Sequence, residues 1–166
     1  LCVMLPQALL YSGNLGDAAL CLKKMNEGIK PNSSELNKLN QPAPRVKLGP
    51  SLINIASSCI DVSDGLEQDL THILRASKVG AIIDSQSLPL SDSVQDYLQT
   101  SQDLGLPLCG GDDYELCFTS DQSNQMEIKK ISEHLNIRIT KIGVINNSQT
   151  LEIRGYEGSS KSYQHF

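Results

Sequence analysis

Short apolar runs alternate along this chain with segments whose apolar residues recur every three or four positions. A period of two residues, or an unbroken apolar run, is typical of strands, whereas a period near 3.6 is typical of amphipathic helices. The runs lie at residues 3–12, 59–62, 79–83, 114–119, 137–144 and 151–153. Because strands and helices alternate, we predict a mixed sheet that is covered by helices.

The segments with helical spacing lie at residues 17–25, 34–39, 50–57, 66–74, 92–104 and 124–135. In the clearest of them, apolar residues follow Leu66 at i+4, i+7 and i+8. Ser63 or Asp64 is expected to supply the N-cap of this helix, and Asp64 and Glu67 have the spacing of a capping box. Residues 105–113 are expected to form a loop.

The composition is that of a globular domain with an aliphatic core. The 166 residues are 39% hydrophobic and 20% charged, and they include no Trp and only two Phe. This length favours a single domain with a core of its own. The net charge of -5 disfavours a nucleic-acid partner, because a phosphate backbone requires a basic surface.

Other classes of protein are also disfavoured. No apolar run approaches the roughly 18 residues of a membrane span. The apolar residues 1–11 lack the basic start of a signal peptide and are interrupted by Pro6, so a buried strand is the favoured interpretation. Five cysteines without a C-x-x-C pair disfavour a disulfide framework and a structural zinc site, and they indicate reduced thiols in a cytoplasmic protein.

The domain organisation follows from the prolines and from the start of the chain. Residues 1–16 are expected to form a strand and a turn, and residues 29–50, which carry four prolines, a connector. Position 1 is Leu rather than Met, so we expect the chain to be a piece of a longer protein. We also expect an apolar surface around residues 3–15 that the missing part covers.

A first acidic cluster, residues 61–65, lies where an apolar run ends and a helix begins. Asp61 and Asp64 flank Ser63, and Gly65 follows. A helix N-terminus attracts anions, and carboxylates beside it are suited to Mg²⁺ that bridges to phosphate oxygens. The alternative is that Ser63 and Asp64 only cap the helix, and this cluster alone does not decide between them.

A second cluster follows a glycine pair, in the run Gly110-Gly111-Asp112-Asp113-Tyr114-Glu115. Three acids in four residues repel one another unless a cation or a hydrogen-bond donor compensates them. A solvated loop is the simpler interpretation of this run when it is considered alone.

In order and spacing, these clusters and several other short motifs resemble the C-terminal half of the thiamine-monophosphate kinases. The motifs are Leu10–Gly13, Leu15–Ala19, Pro42–Val46, Ile60–Leu66, Leu88–Ser91, Gly110–Leu116 and Tyr163–Phe166. That family belongs to the ATP-dependent superfamily of aminoimidazole ribonucleotide synthetase. The resemblance implies a three-layer α+β fold, with a mixed sheet flanked by helices, for residues 1–166 as a single C-terminal domain.

The resemblance also implies an activity. Thiamine-monophosphate kinases transfer the γ-phosphoryl group of ATP directly to thiamine monophosphate, with Mg²⁺, and yield thiamine diphosphate. The N-terminal domain, which is absent here, carries further Mg²⁺-binding aspartates, most of the nucleotide site and the main homodimer interface. The isolated chain is therefore expected to be inactive, and the whole protein to be a cytoplasmic homodimer.

Residue by residue, the resemblance implies that Asp61 and Asp64 are metal ligands and that Ser63 binds ATP. It implies that Asp112 and Tyr163 bind the substrate, and no covalent or acid–base catalytic residue is expected. The chain departs from the family at Asp112, where Glu is usual.

Structural roles are expected for four other acidic-motif residues, namely Asp69, Asp113, Tyr114 and Glu115. Two alternatives to the kinase stay open. One is a related superfamily member that acts on another small substrate, and the other is a binding domain without catalysis.

Overall fold

The structure is a computed structural model that describes residues 7–156. Its strands are β1 (Gln7–Ser12), β2 (Ala56–Val62), β3 (Gly80–Asp84), β4 (Glu115–Asp121), β5 (Ile139–Asn146) and β6 (Leu151–Arg154). Its α-helices are α1 (Asp17–Asn26), α2 (Ser33–Asn40), α3 (Leu48–Ser51), α4 (Leu66–Ser77), α5 (Asp92–Ser101), α6 (Gly105–Cys109) and α7 (Gln125–Leu135). Short 3₁₀ turns lie at Ser85–Ser87 and Gln122–Asn124.

The six strands form one mixed sheet in the order β2-β4-β1-β5-β3-β6. Strand β1 lies inside the sheet and is antiparallel to both β4 and β5. Strand β2 is antiparallel to β4 at one edge, and β3 and β6 are parallel at the other. The predicted mixed sheet is confirmed.

Two separate apolar cores show that the sheet is covered on both faces. Leu9 and Tyr11 of β1 belong to the core that includes Leu66 and Leu70 of α4. The alternate residues of β1, with Leu10 among them, belong to a second core that includes Leu48 of α3, Leu52 and Ile128 of α7. Successive strand residues point to opposite faces, so both faces of β1 are buried. The arrangement is the three-layer α+β fold implied by the resemblance.

Two local predictions are wrong. The helix expected at residues 50–57 ends at Ser51, and residues 56–62 form β2 instead, because they pair with β4 from Ala56 to Val62 with one irregularity at Ser57. The loop expected at residues 105–113 contains helix α6, in which Pro107 and Leu108 are buried. In both places tertiary pairing or burial outweighs local sequence preference.

The expected apolar surface around residues 3–15 is also wrong for the residues that the structure describes. All six residues of β1 are buried, since the strand lies between β4 and β5 in the sheet and has an apolar core on each face. Leu15 is buried as well. Across residues 7–156, no helix combines the length and apolar character that crossing a membrane requires.

A buried ion pair ties the connector to the sheet. The Arg45 Nε–H donates to Glu115 Oε2 over 2.6 Å, and a second guanidinium N–H donates to Glu115 Oε1. The Ser12 hydroxyl also donates to Glu115 Oε2, and it accepts the Leu116 N–H. Glu115 is only 3% exposed, so its charge depends on these partners. This confirms the structural role expected for Glu115.

We predict that Arg45→Met lowers the free energy of unfolding by about 3–5 kcal/mol, because it leaves the Glu115 charge buried and unpaired. The double variant Arg45→Met/Glu115→Gln is expected to recover much of that loss. Urea unfolding of the two variants measures the difference. Equal losses would mean that lost packing, and not the unpaired charge, is the cause.

Asp113 braces the turn that follows β1. Its Oδ2 accepts the Gly16 N–H at 2.8 Å and the Tyr11 hydroxyl at 3.4 Å, so the role of Asp113 is structural, as expected. Burial raises the pKa of Asp113 to about 7; the hydrogen bond from Gly16 opposes this rise, and the charge of Asp17 adds to it. The folded protein therefore holds a proton on Asp113 that the unfolded chain releases near pH 4.

Because the folded state binds this proton more tightly, the stability from Asp113 falls as the pH rises from about 4 to about 7. Asp113→Asn cannot ionise and keeps an oxygen that accepts the Gly16 N–H. We predict that this variant gains stability relative to the parent chain between pH 5 and pH 8 in urea unfolding. Asp96→Asn, on the exposed side of α5, is the control. A constant difference between Asp113→Asn and the parent would contradict the prediction.

Candidate functional site

The two acidic clusters meet at one end of the paired strands β2 and β4. Val62, the last residue of β2, is paired with Glu115, the first residue of β4. The residues after Val62 and those before Glu115 therefore leave the sheet side by side. We call residues 61–65 the Asp61 turn and residues 110–114 the Gly110 loop.

Backbone hydrogen bonds extend the strand pairing and hold the loop on the turn. The Tyr114 N–H donates to the Val62 carbonyl at 2.9 Å, and the Asp112 N–H donates to the Ser63 carbonyl at 2.9 Å. Gly111 makes this approach possible, because a Cβ atom there would lie 2.2 Å from the Ser63 carbonyl oxygen. The separation of the two clusters is thus fixed by main-chain contacts.

The Gly110 loop has an unusual backbone. Asp112 has a φ of 68° and Tyr114 a φ of 50°, both in the left-handed region that side chains other than glycine rarely adopt. The two hydrogen bonds to the Asp61 turn hold this conformation. Such backbone strain is concentrated at functional sites in proteins.

Asp69 lies beneath the Asp61 turn. Its Oδ2 accepts the N–H of Ser63 at 2.9 Å and the N–H of Asp64 at 3.0 Å. Asp69 is only 4% exposed; burial raises the pKa of its carboxyl group, and the two N–H groups oppose the rise. The structural role is as expected, whereas a position on the solvent or loop side of the helix was expected and the side chain is buried beneath the turn.

Helix α4 does not begin as predicted. Its N-cap is Gly65, with a φ of 112° and no side-chain cap, so neither Ser63 nor Asp64 caps the helix. A Cβ atom on Gly65 would lie 2.8 Å from the Cys109 carbonyl group, which explains why glycine is needed there. The expected capping box of Asp64 and Glu67 is absent from α4. The side chains of Ser63 and Asp64 are therefore not used to cap the helix.

The phenol of Tyr114 contacts the carboxylate of Asp112 and feels the charges of two others. The Tyr114 hydroxyl donates to Asp112 Oδ1 at 3.3 Å. The charge of Asp112 is the main cause that raises the pKa of Tyr114; burial and this hydrogen bond add to the rise, as do the charges of Asp61 and Asp64. Asp64 also accepts hydrogen bonds from the Gln68 amide at 3.3 Å and from the Ser63 hydroxyl at 3.4 Å.

An open cleft of about 590 Å³ lies against these residues. The Asp61 turn contributes Ser63 and Asp64 to its wall, the Gly110 loop contributes Asp112 and Tyr114, and α1 contributes a further stretch that includes Lys23. Lys23 forms an ion pair with Glu27 at 2.8 Å, which offsets its charge. The wall formed by Asp64 and Asp112 is therefore acidic, and Lys23 is the cation that α1 adds beside it. Such a wall suits a cation, or an anion that arrives with its metal ion.

The donor set fits part of a Mg²⁺ site. Carboxylate oxygens, such as those of Asp61 and Asp64, are the ligands that Mg²⁺ prefers. However, no group of three or more His, Cys, Asp or Glu side chains within residues 7–156 is placed to hold a metal ion. Mg²⁺ here would take its other ligands from water, from substrate phosphates or from another part of the protein.

The structure brings together four of the five residues that the resemblance implied. Ser63, Asp64 and Asp112 line the cleft, and Asp61 is exposed at the end of β2 beside them. Tyr163 lies outside the described residues. Asp112 thus lies close to Asp61, Ser63 and Asp64 in the fold, although it follows them by more than 45 residues in the sequence.

Sequence reasoning assigned Tyr114 a purely structural role and missed its place in the cleft. The period-two pattern put it on the same strand face as Leu116 and Phe118. The positive φ of Tyr114 turns its side chain away from that face. Tyr114 is therefore 40% exposed, whereas Phe118, which stays on the face, is fully buried. The glycine pair and the successive acids before it were the available signal of an irregular backbone.

We predict that Gly111→Ala lowers the free energy of unfolding by about 1–3 kcal/mol and loosens the Gly110 loop, because the new methyl group meets backbone. Urea unfolding and hydrogen exchange of the Asp112 amide measure the two effects. Gly49→Ala is the matched control, since a Cβ atom there meets nothing within 4 Å. Unchanged exchange at Asp112 would contradict the proposed contact.

Comparisons with known proteins agree on one family for this chain. Residues 6–155 match the model of the AIR synthase related protein, C-terminal domain. The thiamine-monophosphate kinase of Haemophilus influenzae is 41% identical over 139 residues, which cover 81% of this chain and 42% of that protein. The enzyme of the same name from Escherichia coli K12 is 39% identical over 149 residues, which cover 87% of this chain and 45% of that protein.

Solved structures agree with these sequence relatives. Thiamine-monophosphate kinase from Stenotrophomonas maltophilia has a TM-score of 0.84 at 35% identity, over 92% of this chain and 51% of that one. A structure described as AaThiL complexed with AMPPCP and TMP has a TM-score of 0.80 at 24% identity, over 99% of this chain and 52% of that one, which shows the shared fold. The chain spans about half the length of the proteins it matches.

Proposed function

Because the chain belongs to the AIR synthase related protein family and matches its C-terminal domain, we propose that it forms one half of a thiamine-monophosphate kinase. The observation that carries the proposal is the junction of the Asp61 turn and the Gly110 loop, by which Ser63, Asp64 and Asp112 line one cleft and Asp61 lies exposed next to them in the turn. The names of the relatives at up to 41% identity support the same substrate class.

The proposed reaction transfers the γ-phosphoryl group of ATP to the phosphate of thiamine monophosphate. An oxygen of the phosphate of thiamine monophosphate attacks the γ-phosphorus of ATP, the bond to the β,γ-bridging oxygen breaks, and ADP leaves with that oxygen. The attacking oxygen is already ionised near neutral pH, so no general base is required. The task of the protein is to position the two anions and to offset their charge.

The residues of this chain divide that task. Asp61 and Asp64 hold Mg²⁺, which when bound neutralises phosphate charge. Ser63 offers a hydroxyl beside them for the phosphates of ATP. Asp112 offers a carboxylate to the cationic part of thiamine monophosphate, and Tyr163, which lies outside the described residues, offers an aromatic ring to the same group.

The wall of carboxylates alone repels ATP, and the net charge of -5 adds to this repulsion. A metal-bound nucleotide removes the conflict, which is why the acidic site is consistent with a kinase. A structure described as containing both AMPPCP and TMP belongs to a protein of the same fold, and it supports ATP and thiamine monophosphate as ligands.

The remaining parts of the proposal concern the whole protein. Residues 1–166 form the C-terminal domain, with residues 1–16 leading in from the other half and residues 29–50 as the connector. The other half supplies additional metal ligands, most of the nucleotide site and the interface of a cytoplasmic homodimer. The shared length of about half of each relative leaves room for such a domain.

The first experiment measures thiamine diphosphate formation from thiamine monophosphate and Mg-ATP. It compares this 166-residue chain with the full-length product of its gene. We expect turnover by the full-length product and none by the chain alone, because the chain holds only part of the site. Turnover of another small substrate in place of thiamine monophosphate would replace this proposal with the related-enzyme alternative.

In the full-length product, Asp61→Asn and Asp64→Asn are each expected to lower kcat by about 100-fold or more, since each weakens the hold on the Mg²⁺ whose charge would offset that of the transferring phosphoryl group. Asp96→Asn, an exposed carboxylate on α5, is the control that changes charge equally. If both cleft variants turn over thiamine monophosphate at the rate of the control, the domain binds without catalysing.

A further inference from the structure

We propose that Asp69 is a positioning residue of this site, and that it fixes the backbone of Ser63 and Asp64 so that their side chains face the cleft. The inference rests on the proposed function, because it gives Ser63 and Asp64 their roles toward phosphate and metal. Asp69 itself lies 4% exposed beneath the turn and does not line the cleft.

The geometry of the two hydrogen bonds carries the first step. A single oxygen, Asp69 Oδ2, accepts the N–H groups of two successive residues at 2.9 and 3.0 Å. Two successive N–H groups converge on one point only in a narrow range of backbone angles, the arrangement that elsewhere binds anions. Here the protein's own carboxylate occupies that point, so these two N–H groups are not available to phosphate.

The opposite side of the turn is held as well. The carbonyl groups of Val62 and Ser63 accept the N–H groups of Tyr114 and Asp112. With N–H groups bonded to Asp69 and carbonyl groups bonded to the Gly110 loop, the main chain at residues 62–64 has little freedom. The directions in which the side chains of Ser63 and Asp64 leave the main chain follow from this fixed backbone, and both residues line the cleft.

Helix α4 makes this support rigid. Asp69 lies in its first turn, where its N–H donates to the Gly65 carbonyl at 3.0 Å. Leu66 and Leu70, on either side of it in sequence, are fully buried in the core. The position of the carboxylate is therefore set by core packing, and residues that orient metal ligands from such a rigid element strongly affect metal affinity and rate.

The test uses two substitutions at Asp69 in the full-length product. Asp69→Leu removes the acceptor, and we expect kcat per folded molecule to fall by about 10–100-fold and the Mg²⁺ concentration for half-maximal rate to rise. The KM for thiamine monophosphate is expected to stay within about twofold, since Asp112 is untouched. Asp69→Asn keeps one oxygen acceptor and is expected to recover most of the loss.

The matched control is Leu74→Ala, which removes buried volume from the same helix five residues after Asp69 and leaves both hydrogen bonds of Asp69 to the turn in place. It lowers stability and is expected to leave kcat per folded molecule unchanged. An equal loss of kcat in Leu74→Ala and Asp69→Leu would overturn the inference, because it would assign the effect to stability alone. Wild-type kcat and Mg²⁺ dependence in folded Asp69→Leu would overturn it as well.

A second measurement is independent of turnover. Hydrogen exchange of the Ser63 and Asp64 amides in this chain, without metal or nucleotide, is expected to accelerate at least tenfold in Asp69→Leu and not in Leu74→Ala, after correction for global unfolding. Unchanged exchange overturns the inference whatever the substrate is. Accelerated exchange would show that Asp69 holds the turn. If the wild-type full-length product nevertheless does not phosphorylate thiamine monophosphate, the positioning role stands and the proposed kinase is rejected.

Discussion

The pairing of β2 with β4, and its continuation beyond both strands, is the contact on which the candidate site depends. Two further main-chain hydrogen bonds, from Tyr114 to Val62 and from Asp112 to Ser63, carry the ladder into the irregular segments. Main-chain contacts of this kind resist displacement, because a buried N–H or carbonyl group without a partner is costly. The acidic side chains are therefore presented by a frame of main-chain contacts.

Each acidic motif divides its carboxylates between support and exposure. Asp69 holds the Asp61 turn from below, Asp113 holds the turn after β1, and Glu115 binds Arg45 of the connector. The carboxylates of Asp61, near the end of β2, and of Asp112, which lines the cleft, are exposed. Buried carboxylates need hydrogen-bond donors within the protein, whereas exposed ones are hydrated and can bind a metal ion or a cationic substrate. This division explains why so many acids occur close together in an acidic chain.

Sequence patterns predicted the long, periodic elements well. Helix α4, strand β1 and helix α7 were expected near their observed positions, because burial of one face gives each a clear period. The errors at residues 50–57 and 105–113 arose where local preference was weak, and where pairing with β4 or burial of Leu108 decided the outcome. The cleft position of Tyr114 was missed since a positive φ at one residue reverses a strand pattern.

The sequence alone determined the α+β class, the family and the two acidic motifs, because periodicity and motif order are local properties of the chain. Only the tertiary structure decided that Val62 pairs with Glu115 and that Arg45 forms an ion pair with Glu115. It also decided that the carboxylate of Asp69 accepts the N–H groups of the Asp61 turn. These contacts join residues up to 70 positions apart. Their partners are selected by burial and by the need to satisfy every buried polar group, which depend on the packed molecule as a whole.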